Sequence, residues 1–300
     1  MTHLGLGTYR CPDVPAAAAM AAAGGAPLID TAPNYQGGLA QRNLAGVLAD
    51  RPGIRVSSKV GYLTREQGRA ACAAGVLPGE DARHGHSLDA RYIAYQVGAS
   101  IKELGRPVDL MYVHNPESTS RPHQLEGDLL RAFAVLEEAA VDGTIGGYGI
   151  ATWRAFTDGL VSMPTLLAAA RDVGGDGHHL RAIQLPVNLV HLTVTAQALH
   201  GTGPIAEATA AGLEVWTSAP LNGSDLLGMV GEELAAAIRP GLTPAQAALL
   251  VVASTPGITG MLLSTGNPDH WQEAQAAVQM GSLTASELGA VCEMLQVEAH

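Results

Sequence analysis

Cysteine, lysine and aromatic residues are scarce in this sequence. The shortages of cysteine and of aromatic residues restrict which structures the chain can form. The three cysteines are scattered and show no CxxC or CxxH spacing, which argues for a reducing compartment and against disulfides or a structural zinc. Aromatic residues make up 4% of a chain that is 47% hydrophobic, so the core must be packed mainly from Ala, Val, Leu and Ile. The formal net charge of −11 argues against nucleic acid or an anionic membrane as a partner, because both require basic patches.

Long hydrophobic runs are also missing. Residues 14–29 are uncharged but dominated by alanine, and residues 240–268 are divided into short pieces by proline and glycine. A membrane-spanning helix needs about 20 continuous apolar residues, so neither segment qualifies. The first residues lack the basic and apolar regions of a signal peptide. We therefore expect a soluble, cytoplasmic protein that acts on a small molecule.

Short runs of branched apolar residues recur along the chain, each followed by an amphipathic or alanine-rich stretch. The predicted strands are Leu4–Gly7, Pro27–Asp30, Ile54–Ser58, Asp109–His114, Ile145–Ala151, Ala182–Val187, Leu213–Ser218 and Ile258–Ser264. The predicted helices lie near residues 15–23, 38–50, 88–104, 123–141, 153–172, 203–211, 243–254, 267–279 and 284–296. Strands that alternate with helices in this way indicate a parallel sheet covered by helices, an α/β fold.

The number of these units favours a (β/α)8 TIM barrel over an open doubly wound sheet. Eight units in about 260 residues suit a single barrel domain that occupies residues 1–300. An open sheet would carry a GxGxxG nucleotide motif after its first strand, and here the third glycine is missing from the segment that starts at Gly5. The prediction includes long loops after strands three and seven, at residues 60–87 and 219–242, and a C-terminal helix.

Acidic, phenolic, basic and imidazole side chains occur at successive strand ends. Strand two ends at Asp30 and is followed by Tyr35, strand three runs into Lys59, and strand four ends at His114. Taken singly, each residue has an ordinary structural interpretation, such as a helix cap, a loop aromatic or a buried core histidine. The carboxyl ends of barrel strands converge on one mouth, so together the four residues predict an acid–base site.

The same residues lie in motifs that resemble those of the aldo-keto reductases. Asp30-Thr31-Ala32-x-x-Tyr35, the strand end Ser57-Ser58-Lys59, and Val113-His114-Asn115-Pro116 look like the tetrad motifs of that family, in the right order along the chain. The resemblance is closest to the bacterial branch that includes sugar and aldehyde dehydrogenases. It implies an oxidoreductase that interconverts a carbonyl and an alcohol by hydride transfer with a nicotinamide cofactor.

The resemblance also implies a role for each of the four. Tyr35 would be the general acid or base, although a free phenol has a pKa near 10. Lys59 would lower that pKa, and Asp30 would hold Lys59 charged and oriented. His114 would donate a hydrogen bond to the carbonyl oxygen.

Cofactor contacts are implied at strand ends around the mouth. They are Gly7, Thr8, Tyr9, Asp30, Thr152, Gln184, Ser218, Leu221, Ser264, Thr265, Gly266 and His270. The chain departs from the family after strand five, where Ala151 replaces a serine that commonly holds the nicotinamide carboxamide, so Thr152 would have to substitute. Residues 264–270 also offer no lysine or arginine for a 2′-phosphate. The cofactor is therefore NADP or NAD, with the preference open.

The long loops should overhang the mouth and bind the substrate. The candidates are Tyr62, His84, Asn115, Trp153 and Trp216, with His86 as a further possibility. Trp216 could instead stack on the nicotinamide or point into the barrel wall. Neither His84-Gly85-His86 nor His178-His179 has additional ligands at a spacing suited to a metal, so no metal site is predicted. The scarcity of basic groups near the mouth favours an uncharged substrate.

Two other functions remain open at this stage. A barrel that keeps the four residues but binds no dinucleotide could act as a cofactor-independent acid–base enzyme, such as a dehydratase, isomerase or cyclase. A non-enzymatic regulatory subunit that senses a nucleotide is the third reading, and the intact set of four residues argues against it. The sequence does not decide the oligomeric state.

Overall fold

The predicted strands form a closed barrel in the computed structural model, which describes residues 2–295. The barrel strands are β1 (His3–Gly7), β2 (Leu28–Asp30), β3 (Arg55–Val60), β4 (Leu110–His114), β5 (Tyr148–Ala151), β6 (Leu180–Pro186), β7 (Glu214–Ser218) and β8 (Gly260–Leu263). Each strand pairs in parallel with the next, and β8 returns to β1. The (β/α)8 prediction is confirmed, with strand bounds shifted by a few residues at most.

Side chains alternate between the helix layer and the barrel interior along every strand. Outward residues such as Leu6, Ile29, Val56 and Val113 belong to the main hydrophobic core beneath the helices. Leu28, Trp216 and Leu262 form a separate cluster with each other, from β2, β7 and β8. This second set fills the barrel interior below the mouth.

Trp216 occupies this interior layer. Its ring lies against β1 and β8, where Gly5 and Gly260 leave room for it: a Cβ at Gly260 would come within 2.4 Å of the ring. Its Nε1 donates to Glu214 at 2.8 Å. Glu214 in turn forms a bidentate ion pair with Arg55, with N–O distances of 3.1 and 2.8 Å. The prediction that Trp216 lines the substrate cavity is therefore wrong, because this side chain belongs to the barrel interior.

Thirteen α-helices surround the barrel within residues 2–295. They are α1 (Val14–Ala23), α2 (Ala40–Asp50), α3 (Arg65–Ala73), α4 (Gly79–His84), α5 (Ala90–Leu104), α6 (Leu125–Val141), α7 (Met163–Gly174), α8 (Thr193–Leu199), α9 (Gly203–Ala210), α10 (Glu232–Ile238), α11 (Pro244–Ser254), α12 (Pro268–Gln279) and α13 (Ala285–Met294). None of these helices combines the length and the hydropathy that a bilayer crossing requires.

Several predicted boundaries need correction. The segments after β3 and β7 are present as insertions but are not plain loops, because the first contains α3 and α4 and the second contains α10. The helix predicted over 153–172 starts only at Met163, because the Ser162 hydroxyl caps its first turn. The short helix α8 was not predicted. Gln296, the predicted end of the last helix, lies outside the described residues.

The last helix packs on the outside of the barrel. Leu288 and Val291 of α13 join a second hydrophobic cluster with residues of α8, α10 and α11, and the backbone N–H of Leu283 donates to the Ser254 hydroxyl at 2.8 Å. These contacts fix α13 beside the β6 to β8 half of the barrel.

Candidate active site

The Asp30 carboxylate is the centre of a buried polar network at the carboxyl end of β2. Its Oδ1 accepts hydrogen bonds from the Ser57 hydroxyl at 2.7 Å and from Nε2 of Gln184 at 3.0 Å. Its Oδ2 accepts from Nζ of Lys59 at 2.5 Å. A carboxylate with three such donors is fixed in position, and Gln184, predicted as a cofactor contact, faces this network.

Lys59 is 1% exposed and points inward from β3. Besides the ion pair with Asp30, its ammonium group donates to the backbone oxygen of Thr31 at 3.0 Å. Burial lowers the pKa of Lys59, while the Asp30 charge and hydrogen bond raise it. The Nζ atom lies 4.9 Å from the centroid of the Tyr35 ring. The Lys59 ammonium is therefore held between a carboxylate and a phenol.

Tyr35 lies on a short 3-10 turn, Tyr35–Gly38, in which Gln36 has a φ of 50° and Gly37 a φ of 65°. These positive angles turn the chain sharply, and Tyr35 packs against the Tyr9 ring at 5.2 Å. No group among residues 2–295 forms a hydrogen bond with its hydroxyl.

Lys59 lies beside the Tyr35 ring, but the pKa of Tyr35 is not lowered overall as expected. Burial, and after it the charges of Asp30, Tyr9 and Tyr62, raise the pKa of Tyr35 well above its ordinary value of 10.0. The phenol is therefore protonated at neutral pH, and its free hydroxyl can donate a proton.

His114 ends β4 on the other side of Tyr35. The two rings meet edge to face with centroids 6.0 Å apart. Burial, followed by the charges of Lys59 and His86, lowers the pKa of His114 well below 6.5, so the imidazole is neutral. Its Nδ1 is buried and has no partner among the described residues. A proton on Nε2 therefore gives this ring one N–H with which to hold a ligand.

His86 is a contact residue that the sequence did not clearly identify. Its Nε2 lies 2.7 Å from the His114 backbone oxygen and its Nδ1 lies 2.8 Å from the Thr119 hydroxyl. Gly61 permits this approach, because a Cβ there would come within 2.6 Å of the His86 ring. His84, which was preferred, ends α4 and is exposed.

Tyr62 joins the same group of rings. It contacts His86 and His114 edge to face at 4.6 and 4.8 Å, and its hydroxyl bonds the Ser118 hydroxyl at 2.7 Å. Trp153 lies farther along the rim, 45% exposed and 5.8 Å from the His191 ring. Asn115 follows His114 in a left-handed conformation, with a φ of 43°. Of the predicted substrate contacts, Tyr62 is the one that touches the acid–base cluster.

Thr152 is occupied by a structural contact. Its hydroxyl donates to Oε1 of Glu117 at 2.8 Å and accepts from the backbone N–H of Ala155 at 2.8 Å. The same Glu117 oxygen accepts from the backbone N–H groups of Trp153 and Arg154, at 2.9 and 3.1 Å. Thr152 thus fixes the β5 to α7 connection, and its hydroxyl proton is not free for a ligand.

The remaining predicted cofactor residues lie after β1, β7 and β8. Thr8 is fully buried and donates to the Asp30 backbone oxygen at 3.0 Å, while the Ser264 hydroxyl donates to the Tyr9 backbone oxygen at 2.5 Å. The hydroxyl of Thr265 accepts from the Asn267 backbone at 3.1 Å. The others are Gly7 and Ser218 at the ends of β1 and β7, Leu221 and Gly266 in the loops that follow β7 and β8, and the exposed His270 in the first turn of α12.

Arg10 is a second residue that the sequence reasoning missed. It adopts a left-handed conformation with a φ of 56°, and its guanidinium lies 5.3 Å from the Tyr9 ring centroid. Its Nη1 approaches Gly223, at 3.6 Å from the point that a Cβ would occupy there. Arg10 therefore places a cation at the rim between the β1 and β7 loops.

The His178-His179 pair has no part in the mouth. His179 bonds Glu137 through both its backbone N–H, at 2.8 Å, and its ring Nδ1, at 2.5 Å. Glu137 also accepts from the Tyr148 hydroxyl at 2.9 Å. Both histidines precede β6, at the amino end of the strands.

Comparisons with known proteins agree with this fold. Residues 3–157, just over half of the chain, match the aldo/keto reductase family. Two structures of an aldo-keto reductase from Klebsiella pneumoniae, one with NADPH and one with NADP and acetate, are each 19% identical, with TM-scores of 0.68 and 0.69. Both alignments cover 99% of this chain, and 92% and 93% of those chains.

A glycerol dehydrogenase from Gluconobacter oxydans is 21% identical with a TM-score of 0.70, and the alignment covers 97% of this chain and 90% of that one. No curated protein sequence matches the chain.

Proposed function

Because this chain belongs to the aldo/keto reductase family, we propose that it interconverts a carbonyl compound and an alcohol by hydride transfer with NAD(P)(H). The observation that carries the proposal is the arrangement at the mouth. A free phenol hydroxyl on Tyr35 lies beside the Lys59–Asp30 ion pair and opposite a neutral His114. These groups can supply one proton and one hydrogen bond at the same place.

Tyr35 is the proposed proton donor. Reduction adds a hydride to the carbonyl carbon and a proton to its oxygen, and the reduced nicotinamide supplies the hydride. The raised pKa of Tyr35 means that its hydroxyl carries a proton at neutral pH, and proton transfer to the carbonyl oxygen then depends on stabilisation of the phenolate. When the proton leaves, the Lys59 ammonium stabilises the phenolate that forms. In alcohol oxidation the Tyr35 phenolate oxygen takes the proton back.

Asp30 and His114 hold the reacting groups. Asp30 anchors the Lys59 ammonium with a contact of 2.5 Å and keeps it charged against the effect of burial. His114 is neutral, so it can donate one hydrogen bond to the carbonyl oxygen without adding a second positive charge next to Lys59. Removal of one such donor typically raises the barrier by about 3–4 kcal/mol.

Some of the rim residues are suited to bind a nicotinamide dinucleotide, and one of them opposes a 2′-phosphate. Gln184 can hold the nicotinamide carboxamide, and Arg10 offers a cation near the β7 loop for the phosphates. The Klebsiella pneumoniae structures contain NADPH or NADP, which supports the same cofactor class here. Asp269, exposed in the first turn of α12, opposes a 2′-phosphate and favours NAD. The substrate class we propose is an uncharged aldehyde, ketone, lactol or alcohol.

One observation favours a second candidate. The Thr152 hydroxyl is hydrogen-bonded to Glu117, and Ala151 has no polar side chain. The side chains after β5 therefore offer no free donor for the nicotinamide carboxamide. Without a cofactor, Tyr35 could protonate a leaving oxygen that His114 holds by a hydrogen bond, as a dehydratase, isomerase or cyclase requires.

A turnover assay tests the first candidate. Purified protein is mixed with NADPH or NADH and a series of uncharged aldehydes and ketones, and nucleotide absorbance is followed with time. We expect carbonyl-dependent oxidation of one nucleotide, and the reverse reaction with the matching alcohol. Turnover that persists in Tyr35→Phe would exclude Tyr35 as the proton donor.

A further inference from the structure

Every non-glycine residue with a left-handed backbone among residues 2–295 lies in a connection that follows the carboxyl end of a strand. They are Arg10, Gln36, Asn115, Ala219 and Asn222, with φ between 43° and 56°. A residue other than glycine is strained in this conformation, which persists only where surrounding contacts hold it. Gln36 is singled out among the five because it directly follows Tyr35 and its side chain bonds two other segments.

The Gln36 side chain ties its own turn to the β1 loop, residues 8–13. Its Nε2 donates to the backbone oxygens of Cys11 and Pro12, at 3.1 and 3.0 Å. Its Oε1 accepts from Nδ2 of Asn43, near the start of α2, at 2.8 Å. These three hydrogen bonds hold the half-buried residue in its left-handed conformation, with a φ of 50°.

The other end of the β1 loop is held at the barrel. The Thr8 hydroxyl donates to a backbone oxygen at the end of β2, at 3.0 Å. Tyr9 and Arg10 lie at the rim between this contact and the two oxygens that Gln36 bonds, and the Tyr9 ring packs on the Tyr35 ring at 5.2 Å. The loop is therefore fixed at both ends, and the Gln36 amide supplies the contact next to Tyr35.

The position of the Tyr35 ring depends on its backbone and on the rings around it. Its hydroxyl makes no hydrogen bond within residues 2–295, so no partner of that kind fixes the phenol. The proposed reaction needs the phenol and the nicotinamide to reach one carbonyl group together. A misplacement of about 1 Å can lower the rate about 100-fold. A contact that fixes both the Tyr35 turn and the β1 loop is therefore placed to affect turnover.

We propose that Gln36 is a positioning residue whose amide sets where the Tyr35 phenol lies relative to the β1 loop. Tyr9 and Arg10 of that loop border the proposed dinucleotide site, so the same contact aligns the proton donor with the cofactor. The effect on turnover rests on the proposed function. The coupling between the two segments does not, because it follows from the hydrogen bonds alone.

Gln36→Met and Gln36→Gly separate the amide from the backbone conformation. Methionine keeps the length and the strain without an N–H, whereas glycine adopts the left-handed conformation without strain. With benzaldehyde and NADPH or NADH, both variants should lower kcat about tenfold and leave the KM for benzaldehyde within about twofold, because Tyr35 is less well placed. A merely structural glutamine would change the free energy of unfolding and leave kcat unchanged.

Gln275 provides the matched control. It is also half-buried, and its Nε2 donates to a backbone oxygen, that of Gly24, at 2.6 Å, but this bond joins α12 to the end of α1 in the helix layer. Gln275→Met makes the same chemical change away from the mouth. It should keep kcat within about twofold of the wild type.

Hydrogen exchange tests the coupling without turnover. Amides of residues 8–11 and 37–39 should exchange faster in both Gln36 variants than in the wild type and in Gln275→Met. Unchanged exchange of residues 8–11 in Gln36→Met would overturn the proposal, and so would a wild-type kcat in Gln36→Met or in Gln36→Gly. Faster exchange in a protein that oxidises neither nucleotide with any carbonyl would keep the coupling and count against the proposed function alone.

Discussion

Two buried carboxylates at opposite ends of the barrel have similar hydrogen-bond partners, but the tyrosine beside each of them has a different role. At the mouth cluster, which consists of Asp30, Tyr35, Lys59 and His114, Asp30 accepts three hydrogen bonds, one of them from a lysine. At the amino-end cluster, which consists of Glu137, Tyr148 and His179, the Glu137 carboxylate also accepts three, one of them from a tyrosine hydroxyl. Both sites therefore combine an acid, a phenol and a basic side chain.

The difference lies in what the phenol does. The Tyr148 hydroxyl donates a hydrogen bond to Glu137. Burial and this hydrogen bond raise the pKa of Tyr148. Tyr35 makes no hydrogen bond within residues 2–295, although it lies beside the Lys59 ammonium. A satisfied phenol ties two elements together, whereas an unsatisfied one at the strand carboxyl ends is free to exchange a proton with a ligand. The residue types alone do not separate the two roles.

The largest expected difference follows from removing each hydroxyl. Tyr35→Phe should lower turnover by about 10³-fold or more, with stability within about 0.5 kcal/mol of the wild type. Tyr148→Phe should leave turnover within about threefold and cost about 1–3 kcal/mol, because Glu137 loses a donor. Steady-state kinetics and urea unfolding of both variants provide the measurements. Equal activity of the two variants would remove the distinction between the clusters.

The ion pair at the mouth should dominate stability. Lys59→Met leaves the Asp30 carboxylate buried without its counter-charge, and we expect a loss of about 3–5 kcal/mol in urea unfolding. Adding Asp30→Asn to this variant should restore part of the loss, because the unpaired charge is then gone. A double variant as unstable as Lys59→Met would show that the charge is not the cause.

His86 tests whether the mouth needs a supporting imidazole. His86→Phe removes the bond to the His114 backbone and should lower kcat/KM about tenfold, mainly through kcat, because His114 is less well positioned. His84→Phe, two residues earlier and exposed, should remain within about twofold of the wild type. His86→Gln, which keeps a donor, should recover part of the loss. If both Phe variants behave alike, His86 has no positioning role.

The smallest effect concerns pH. Hydrogen bonds from His179 and Tyr148 outweigh burial and lower the pKa of Glu137 below its ordinary 4.5. A carboxyl with a lowered pKa contributes stability that is complete above about pH 4.5 and is lost as the pH falls through the folded-state pKa. Glu137→Gln should therefore reduce, by about 1 kcal/mol, the loss in free energy of unfolding that occurs between pH 7 and pH 3. Unfolding measured across that pH range provides the test. An unchanged curve would contradict the assignment.

The barrel was predictable from the sequence because its signals are local. Eight apolar runs, each followed by a helix-forming stretch, determine the number of strands, and the strand ends locate Asp30, Lys59 and His114. The depth at which a strand residue lies inside the barrel was harder to predict from the sequence. Trp216 lies two residues before the end of β7, which places it about 6–7 Å below the rim, inside the barrel. A strand boundary uncertain by two residues is enough to move a side chain from the mouth to the interior.

Contacts between distant segments were not predictable. His86 reaches His114 because the insertion that holds α3 and α4 closes on itself, with Tyr62 and His86 paired in an antiparallel bridge. Arg10 reaches the β7 loop through a left-handed turn that its sequence does not signal. The commitment of Thr152 to Glu117 likewise depends on how two loops meet. Each of these required the closed barrel to be known first.

Binding of a nicotinamide dinucleotide at the mouth is the claim on which the proposed function depends most. The direct test is a titration of the purified protein with NADPH, NADP+, NADH and NAD+, by calorimetry or nicotinamide fluorescence. We predict micromolar affinity for at least one oxidised and reduced pair, retained in Tyr35→Phe. Absence of binding at millimolar nucleotide would contradict the oxidoreductase proposal and favour a cofactor-independent acid–base reaction at the same four residues.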